Sequence, residues 1–289
     1  MSLKPIAITC GDPAGVGPEI IERILESLSV TECPLLVVGH PEWVERLPAS
    51  VNSVAVGGDH ALPTVGKPDL EGAKIALAAM DEAACGCLEG RYQAVVTAPV
   101  SKWWLNQAGY TFAGQTEFFA NYWGGEPSMA FAGGSLRVVL VTRHIPLNHV
   151  KDYLSVTAIE RAVQRADFLA KAMGIHSPRI GVCGLNPHAG EEGILGSEEK
   201  DLINPVLSRL RNDYPGVSDC LPGDTLFYEH RKGYWDIVVA MYHDQGLAPL
   251  KTLEFDQSAN ITLGLPWIRT SPDHGTAFSL AGKRTANIS

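Results

Sequence analysis

The sequence lacks the runs and repeats that would commit it to several large classes of protein. No uninterrupted apolar stretch approaches the roughly 18 residues of a membrane-spanning helix. The opening Met1-Ser2-Leu3-Lys4-Pro5 has no apolar core of a secretory signal, so a cytoplasmic location is expected. Positive charge is not in surplus: 23 Lys and Arg stand against 32 Asp and Glu, a formal net charge of −9. That balance disfavours nucleic acid and anionic membranes as partners, and any anionic substrate needs a local basic pocket. Cysteine is sparse, with six residues scattered apart from Cys85-Gly86-Cys87 and no Cys-x2-Cys knuckle. They read as small buried hydrophobes in a reducing compartment, without a role. Low-complexity linkers, internal repeats, a Gly-x-Gly-x-x-Gly fingerprint and a P-loop are also missing.

What is present is an alternation. Apolar, β-branched runs at Pro5 to Thr9, Leu35 to Val38, Ala94 to Thr97, Val138 to Val141, Arg179 to Cys183 and Asp236 to Met241 read as buried strands. Helical patterns fill Glu19 to Leu28, Glu71 to Leu88 and Val156 to Met173, and a glycine-interrupted loop, Gly193 to Glu199, runs into a helix at Lys200 to Leu210. This order predicts an α/β protein with a mostly parallel sheet. At 289 residues the chain is long enough for two α/β lobes joined by crossing segments, with no need of staples. In open α/β sheets ligands bind beyond the carboxyl ends of the strands, where the unusual residues of this sequence repeatedly fall.

Three of those residues are histidines: His144 in Arg143-His144-Ile145-Pro146, His188 in Gly184 to Gly190, and His243 in Tyr242-His243-Asp244-Gln245-Gly246. A lone histidine on a loop is ordinarily a hydrogen-bonded structural residue. These three are each surrounded by prolines and glycines that force tight turns and close backbone approach, which surface histidines do not need. Three imidazoles with an open position are the ligand set of a catalytic divalent-metal site, here one assembled by folding. Asp244 beside His243, and Asp224 in Gly223-Asp224-Thr225, are placed to orient a ligand imidazole or complete the metal shell, although an aspartate next to glycine is also a common turn former.

Other motifs surround this set. Gly11 to Glu19 follows the first strand as an anion loop at a helix start, or as a tight turn closing the cleft with Asp12 facing it; Pro13 and Pro18 remove two amide donors. Lys102 follows the strand Ala94 to Thr97, and near a metal it suits proton shuttling or holding a hydroxyl, with an ordinary solvated lysine as the alternative. Lys251, Asn260 and Arg269 gather two cations and an amide near the end of the chain, a composition that fits a phosphate or carboxylate, although each taken alone also reads as a solvated surface group. Gln115 and Thr116 lie in a small-residue turn before a helix, where a helix cap is the simpler assignment.

Taken together, Gly11 to Glu19, Thr97 to Lys102, Gly184 to Gly190, Asp224 to Phe227, Tyr242 to Gly246 and Asn260 to Pro266 with Arg269-Thr270-Ser271 closely resemble the 4-hydroxythreonine-4-phosphate dehydrogenase family, from Ile6 to about Gly282. The resemblance implies a two-lobed isocitrate/isopropylmalate dehydrogenase-like fold with an interlobe cleft. In that layout residues 1–115 and 265–289 form a nucleotide-side lobe and 116–264 a metal-binding and dimerisation lobe. It implies a homodimer sharing its active site, with His144, His188 and His243 binding a divalent ion (zinc, magnesium, cobalt, manganese or nickel) through ligands from both subunits. Gln115, Thr116, Lys251, Asn260 and Arg269 match its substrate-binding positions. The family residue before Thr116 is usually histidine, whereas Gln115 cannot exchange a proton near neutral pH, so the position bears on which substrate is taken. A further segment, His274-Gly275-Thr276-Ala277 followed by Leu280 to Lys283 and Ala286-Asn287, resembles the part of the wider decarboxylating dehydrogenases that binds the adenine end of NAD. A helix start with a glycine cap is its alternative reading.

The implied activity is NAD-dependent oxidation, with decarboxylation, of a small phosphorylated hydroxy amino acid in pyridoxal phosphate biosynthesis. Lys102, Asp244 and Asp224 are the candidates to relay the proton. The alternatives are a dehydrogenase of a phosphorylated threonate or carboxylated dihydrodiol, an acyl-phosphate transferase with a related sheet, and a non-catalytic binding module. The chain ends soon after the adenine-type segment, at Ser289, which bears on dimer packing through a last helix.

Overall fold

The computed structural model describes residues 3–28 and 33–288. Met1 and Ser2 of the opening segment and Ser289 at the end lie outside the described residues. Two compact units form, one from the residues up to Pro127 with those from Gly264 on, the other from Ser128–Leu263. The first contains strands β1 (Ile6–Thr9), β2 (Leu35–Gly39), β3 (Asn52–Ala55) and β4 (Ala94–Thr97). The second contains β5 (Ser128–Ala132), β6 (Arg137–Leu140), β7 (Ile180–Cys183), β8 (Val217–Leu221), β9 (Ile237–Ala240) and β10 (Ala259–Leu263). The chain then returns to the first with β11 (Ile268–Pro272).

In the first unit the strand order is β3-β2-β1-β4-β11, with every pairing parallel. Its core is aliphatic on one side of the strands, where the helix Leu70–Leu88 lays down Ala73, Ala76, Ala79, Met80 and Ala83. Asp69 starts that helix by accepting the Gly72 N–H at 2.8 Å. Small residues let the helix approach closely, and Tyr92 occupies the space a Cβ at Gly86 would fill. All six cysteines are free thiols; Cys10, Cys87 and Cys183 are buried as expected, whereas Cys33, Cys85 and Cys220 are only half-buried, and burial pushes the Cys87 thiol up to about 12.

The second unit has the order β10-β5-β6-β9-β7-β8. β6, β9, β7 and β8 pair in parallel, whereas β5 runs antiparallel to both β10 and β6. The exception to a parallel sheet has a local cause. Only Gly133 to Leu136 separates β5 from β6, too few residues for a crossover, so a tight turn closed by the Gly133 N–H to Leu136 carbonyl bond reverses the chain. Glu254 fixes this turn by accepting the Ser135 and Leu136 amides at 2.9 and 3.1 Å.

The boundary between units falls at Pro127/Ser128, twelve residues beyond the 115/116 position read from the sequence. The helix Gln115–Trp123 accounts for the difference, because Phe118, Phe119 and Trp123 are buried in the first core and Trp123 packs on Trp267 with ring centroids 5.5 Å apart. Thr116 therefore belongs to the first unit.

Candidate functional site

In the second unit, the exits of β6 and β9 are tied together. Thr142 donates its hydroxyl and its amide to the Met241 carbonyl at 2.7 and 3.2 Å. The segments carrying His144 and His243 therefore leave the sheet side by side, and their rings lie with centroids 5.3 Å apart. His243 opens the helix His243–Glu254 instead of sitting on a loop. That helix lies hard against the strands, since a Cβ at Gly246 would meet Leu140 and Val138 at 2.8 Å. His243 Nδ1 pairs with Asp244 Oδ1 at 2.7 Å, so Nε2 is the ring nitrogen that an ion would take. A carboxylate holding the far nitrogen of an imidazole is the usual support of a histidine ligand.

His188 is presented differently. From His188 to Glu192 the backbone is left-handed, with φ of 52°, 51°, 84°, 45° and 55°. Each non-glycine residue in that region costs roughly 1–2 kcal/mol, so the turn persists only where its surroundings determine it. The His188 side chain is 65% exposed, with Nδ1 at 4.0 Å from Glu191 Oε2. Among the described residues of one chain, no group of three or more His, Cys, Asp or Glu side chains is placed to hold a metal ion. The structure thus juxtaposes two of the three expected ligands and sets the third on its own turn. Adjacent imidazoles, one oriented by a carboxylate, have the donor chemistry a borderline divalent ion requires.

Asp224 is exposed in the first turn of the helix Gly223–Arg231, and Asp244 is also exposed. Lys251 lies eight residues after His243 on the same helix, half-buried, with Nζ 5.9 Å from the Phe255 ring centre. Asn260 is on β10, opposite Phe131, and its buried Oδ1 has no hydrogen-bond partner among the described residues. A fourth histidine, His230, is wholly consumed by structure. Its Nδ1 meets the Trp235 carbonyl at 2.7 Å, its Nε2 accepts the Arg137 amide at 2.9 Å, and burial lowers its pKa.

In the first unit, β1 runs into a loop whose backbone is fixed on the neighbouring β4 exit: the Asp12 amide donates to the Pro99 carbonyl at 2.9 Å, and a Cβ at Gly11 would stand 2.5 Å from that same oxygen. Gly11 has φ +69°, so both its space and its conformation require glycine. Asp12 is 1% exposed and accepts the Ala14 amide at 3.0 Å. Burial outweighs that bond and raises its pKa to about 6, with Asp69 adding repulsion.

A raised carboxyl pKa favours the folded state at low pH, and this contribution is lost as pH rises from the unfolded value near 4 through about 6. Asp12→Asn, which keeps the acceptor for Ala14, is expected to stabilise the ligand-free protein at pH 7 by on the order of 2 kcal/mol. The advantage should vanish below pH 4 in denaturant titrations. A constant difference across that range would show that Asp12 ionises without penalty.

Arg269, on β11, is the other buried charge. It is 4% exposed, and its Nε and Nη2 both donate to Thr97 Oγ1, at 2.9 and 2.6 Å. Desolvation lowers its pKa to about 10, and Tyr110 and Glu117 oppose the shift. Gln115 starts the helix Gln115–Trp123, and its Oε1 is buried without a partner among the described residues. Thr116 is buried behind it. Lys102 is exposed at the start of the helix Lys102–Gln107, where Ser101 accepts the Trp104 amide at 3.4 Å.

The segment His274 to Ala277 packs on the Gly11 to Gly17 loop: the Val16 amide donates to the Thr276 carbonyl at 2.9 Å, and Gly15 has no room for a Cβ beneath it. Ala277 takes φ 44° and His274 Nδ1 closes on the Gly275 carbonyl at 2.8 Å, so a strained turn replaces the helix start weighed above. Asn287 is exposed. Alongside lies a cavity of about 190 Å³ lined by Pro13, Gly15, Glu19, His40, Trp43 and Gly282. Glu19 Oε2 accepts the Gly282 amide at 2.8 Å, while its buried Oε1 has no partner among the described residues. Sequence reasoning passed over Glu19, which stood only as the end of a glycine motif. It also passed over Glu198 and Glu199, whose only mark was an acidic pair after a glycine.

Comparison with known proteins shows the family and the fold. Residues 18–289 match the model of the family described as pyridoxal phosphate biosynthetic protein PdxA. A 4-hydroxythreonine-4-phosphate dehydrogenase from Zymomonas mobilis is 41% identical, with 99% of this chain and 92% of that protein aligned. Among solved structures, the 4-hydroxythreonine-4-phosphate dehydrogenase of Klebsiella pneumoniae superposes with a TM-score of 0.85 at 36% identity, covering 98% of this chain and 93% of that one. A terephthalate 1,2-cis-dihydrodiol dehydrogenase from Burkholderia xenovorans gives 0.74 at 29% identity, covering 99% and 94%. A likeness of fold alone, with TM-score 0.50 at 14% identity, extends to the isocitrate dehydrogenase of Methylococcus capsulatus, over 99% of this chain and 83% of that one. With a full-length relative above 40% identity and a family model spanning nearly every residue, the chain belongs to the pyridoxal phosphate biosynthetic PdxA family.

Proposed function

We propose that this protein oxidises 4-hydroxythreonine 4-phosphate with NAD, with decarboxylation, in the biosynthesis of pyridoxal phosphate. The observation that carries the reading is Arg269, a buried guanidinium whose described hydrogen bonds end on a neutral hydroxyl. A buried cation is costly unless an anion meets it, and a substrate phosphate or carboxylate is that anion. Lys251 adds a second cation for the same chemistry. The unpartnered oxygens of Gln115 and Asn260 accept hydrogen bonds from substrate hydroxyl or ammonium groups. His144 and His243 adjoin in a way that supports metal ligation, and His188 joins them in a homodimer whose second copy completes the shell. A divalent ion bound there supplies an electrophile for the substrate oxygens, and NAD supplies the hydride acceptor. The Lys102 amine and the carboxylates of Asp244 and Asp224 are the groups that hold or carry the proton lost from the C3 hydroxyl. Glu19 Oε1 and the segment His274 to Ala277, with Asn287, receive the adenosine end of the cofactor.

A second reading rests on Gln115, which stands where the family usually has histidine: a dehydrogenase of a phosphorylated threonate or of a carboxylated dihydrodiol. NADH formation by the purified, metal-loaded protein separates the two. Turnover of 4-hydroxythreonine 4-phosphate, inhibited by inorganic phosphate, is expected. Turnover confined to a phosphorylated threonate, or to an unphosphorylated dihydrodiol acid with indifference to phosphate, would reject the first reading.

A further inference from the structure

The left-handed turn that carries His188 is gripped from below by a polar cluster. Glu199 is 2% exposed, and its carboxylate takes two bonds from one residue: Oε1 accepts the Asn186 amide at 2.7 Å and Oε2 accepts Asn186 Nδ2 at 3.0 Å. Asn186 is the residue from which the turn springs, because its carbonyl accepts the Ala189 amide at 3.1 Å. The same Nδ2 donates to Glu198 Oε2 at 2.7 Å, and Glu198 Oε1 pairs with Lys151 Nζ at 2.7 Å. Lys151 lies in the short helix Val150–Tyr153, seven residues after His144.

The third histidine segment is joined to the cluster as well. Gln245 accepts the Met241 amide at 2.7 Å and donates Nε2 to the Gly184 carbonyl at 2.7 Å, at the start of the His188 segment. The glycines around the cluster leave no slack. A Cβ at Gly184 would meet Glu199 Oε1 at 3.0 Å, one at Gly190 would meet Glu199 Oε2 at 2.7 Å, and one at Gly196 would meet the Asn186 amide group at 2.3 Å. Both acidic residues sit at a wide turn of helix, Glu199–Ile203 with Glu198 before it, an irregularity found often at functional sites.

We propose that Glu199, acting through Asn186, is a positioning residue: it holds the His188 turn in its left-handed form and, with Glu198, sets the register between the segments bearing His144 and His188. The sense for the reaction rests on the reading of His188 as a metal ligand; the conformational claim does not. A carboxylate suits the task because it accepts twice and donates nothing, so it can take both the backbone and the side-chain N–H of one asparagine. The turn is in a backbone region that its own residues disfavour, and without the two bonds its ends are free to relax.

The test uses hydrogen exchange on the full-length protein at the amides of Ala189, Ile194 and Leu195, which close the turn onto Asn186, Glu191 and Gly190. Glu199→Gln, whose amide group faces Asn186 Nδ2 with a donor, is expected to speed exchange there by about 10-fold or more while β7 and β9 keep their protection. The exchanged pair Asn186→Asp with Glu199→Gln restores donor against acceptor and is expected to recover part of that protection. Cobalt(II) titration, read by its visible spectrum, is expected to show affinity weakened by roughly 10- to 100-fold in Glu199→Gln. Exchange at the three amides equal to that of the unmodified protein would overturn the proposal. Cobalt affinity unaltered in His188→Ala would instead defeat the ligand reading of His188, with the exchange comparison still deciding the clamp.

Discussion

Arg269→Met is expected to lower kcat/KM by roughly 30- to 5000-fold, the equivalent of the 2–5 kcal/mol that loss of one partner of a buried charge pair costs. The same substitution is expected to raise, not lower, the unfolding midpoint of the ligand-free protein. The two signs diverge for one reason. Without ligand the guanidinium is buried against Thr97 alone among its described hydrogen-bond partners, so its desolvation is poorly compensated and an apolar chain of similar length removes that cost. With an anionic substrate the same group makes the charge-assisted bonds that justify its burial. Steady-state kinetics and thermal unfolding of the variant give both numbers. A variant that is less stable yet binds substrate normally would make Arg269 a structural cation and remove the main support for a phosphorylated substrate.

His243→Ala is expected to weaken cobalt(II) binding by more than about 100-fold, beyond the 10- to 100-fold that loss of an outer-shell partner costs, and to abolish NAD reduction with it. Asp244→Asn should fall within the outer-shell range, since it alters the group bonded to His243 Nδ1 and not a ligand atom. The ordering is what matters, and it is measured by isothermal titration of the metal-free protein. Equal, small effects of both substitutions would mean that the rings of His144 and His243 adjoin without sharing an ion.

Much of this organisation is legible in the sequence because it follows from local chemistry. Six β-branched runs announce β1, β2, β4, β6, β7 and β9 to within a residue or two, since strands buried on both faces have no other composition available. The histidines stand out through the prolines and glycines that shape their turns. Other features leave no such trace. β5 reads Ser-Met-Ala-Phe-Ala and β3 Asn-Ser-Val-Ala, too short and too mixed to separate from loop. The unit boundary depends on where Phe118, Phe119 and Trp123 point, which composition does not encode. Asn186 and Glu199 meet across thirteen positions only because a turn of unusual handedness brings them together, and no periodicity signals such a turn.

The strand that carries Arg269 has a consequence for biosynthesis. Arg269 and Thr97 stand 172 positions apart, with the whole second unit translated between them. At about 5–20 residues per second, the ribosome delivers β11 roughly ten to thirty seconds after β4. During that interval β4 offers an unpaired edge, a template for errant pairing with other nascent chains. Anything that stalls elongation late in the message therefore extends the period in which this chain is most prone to aggregate.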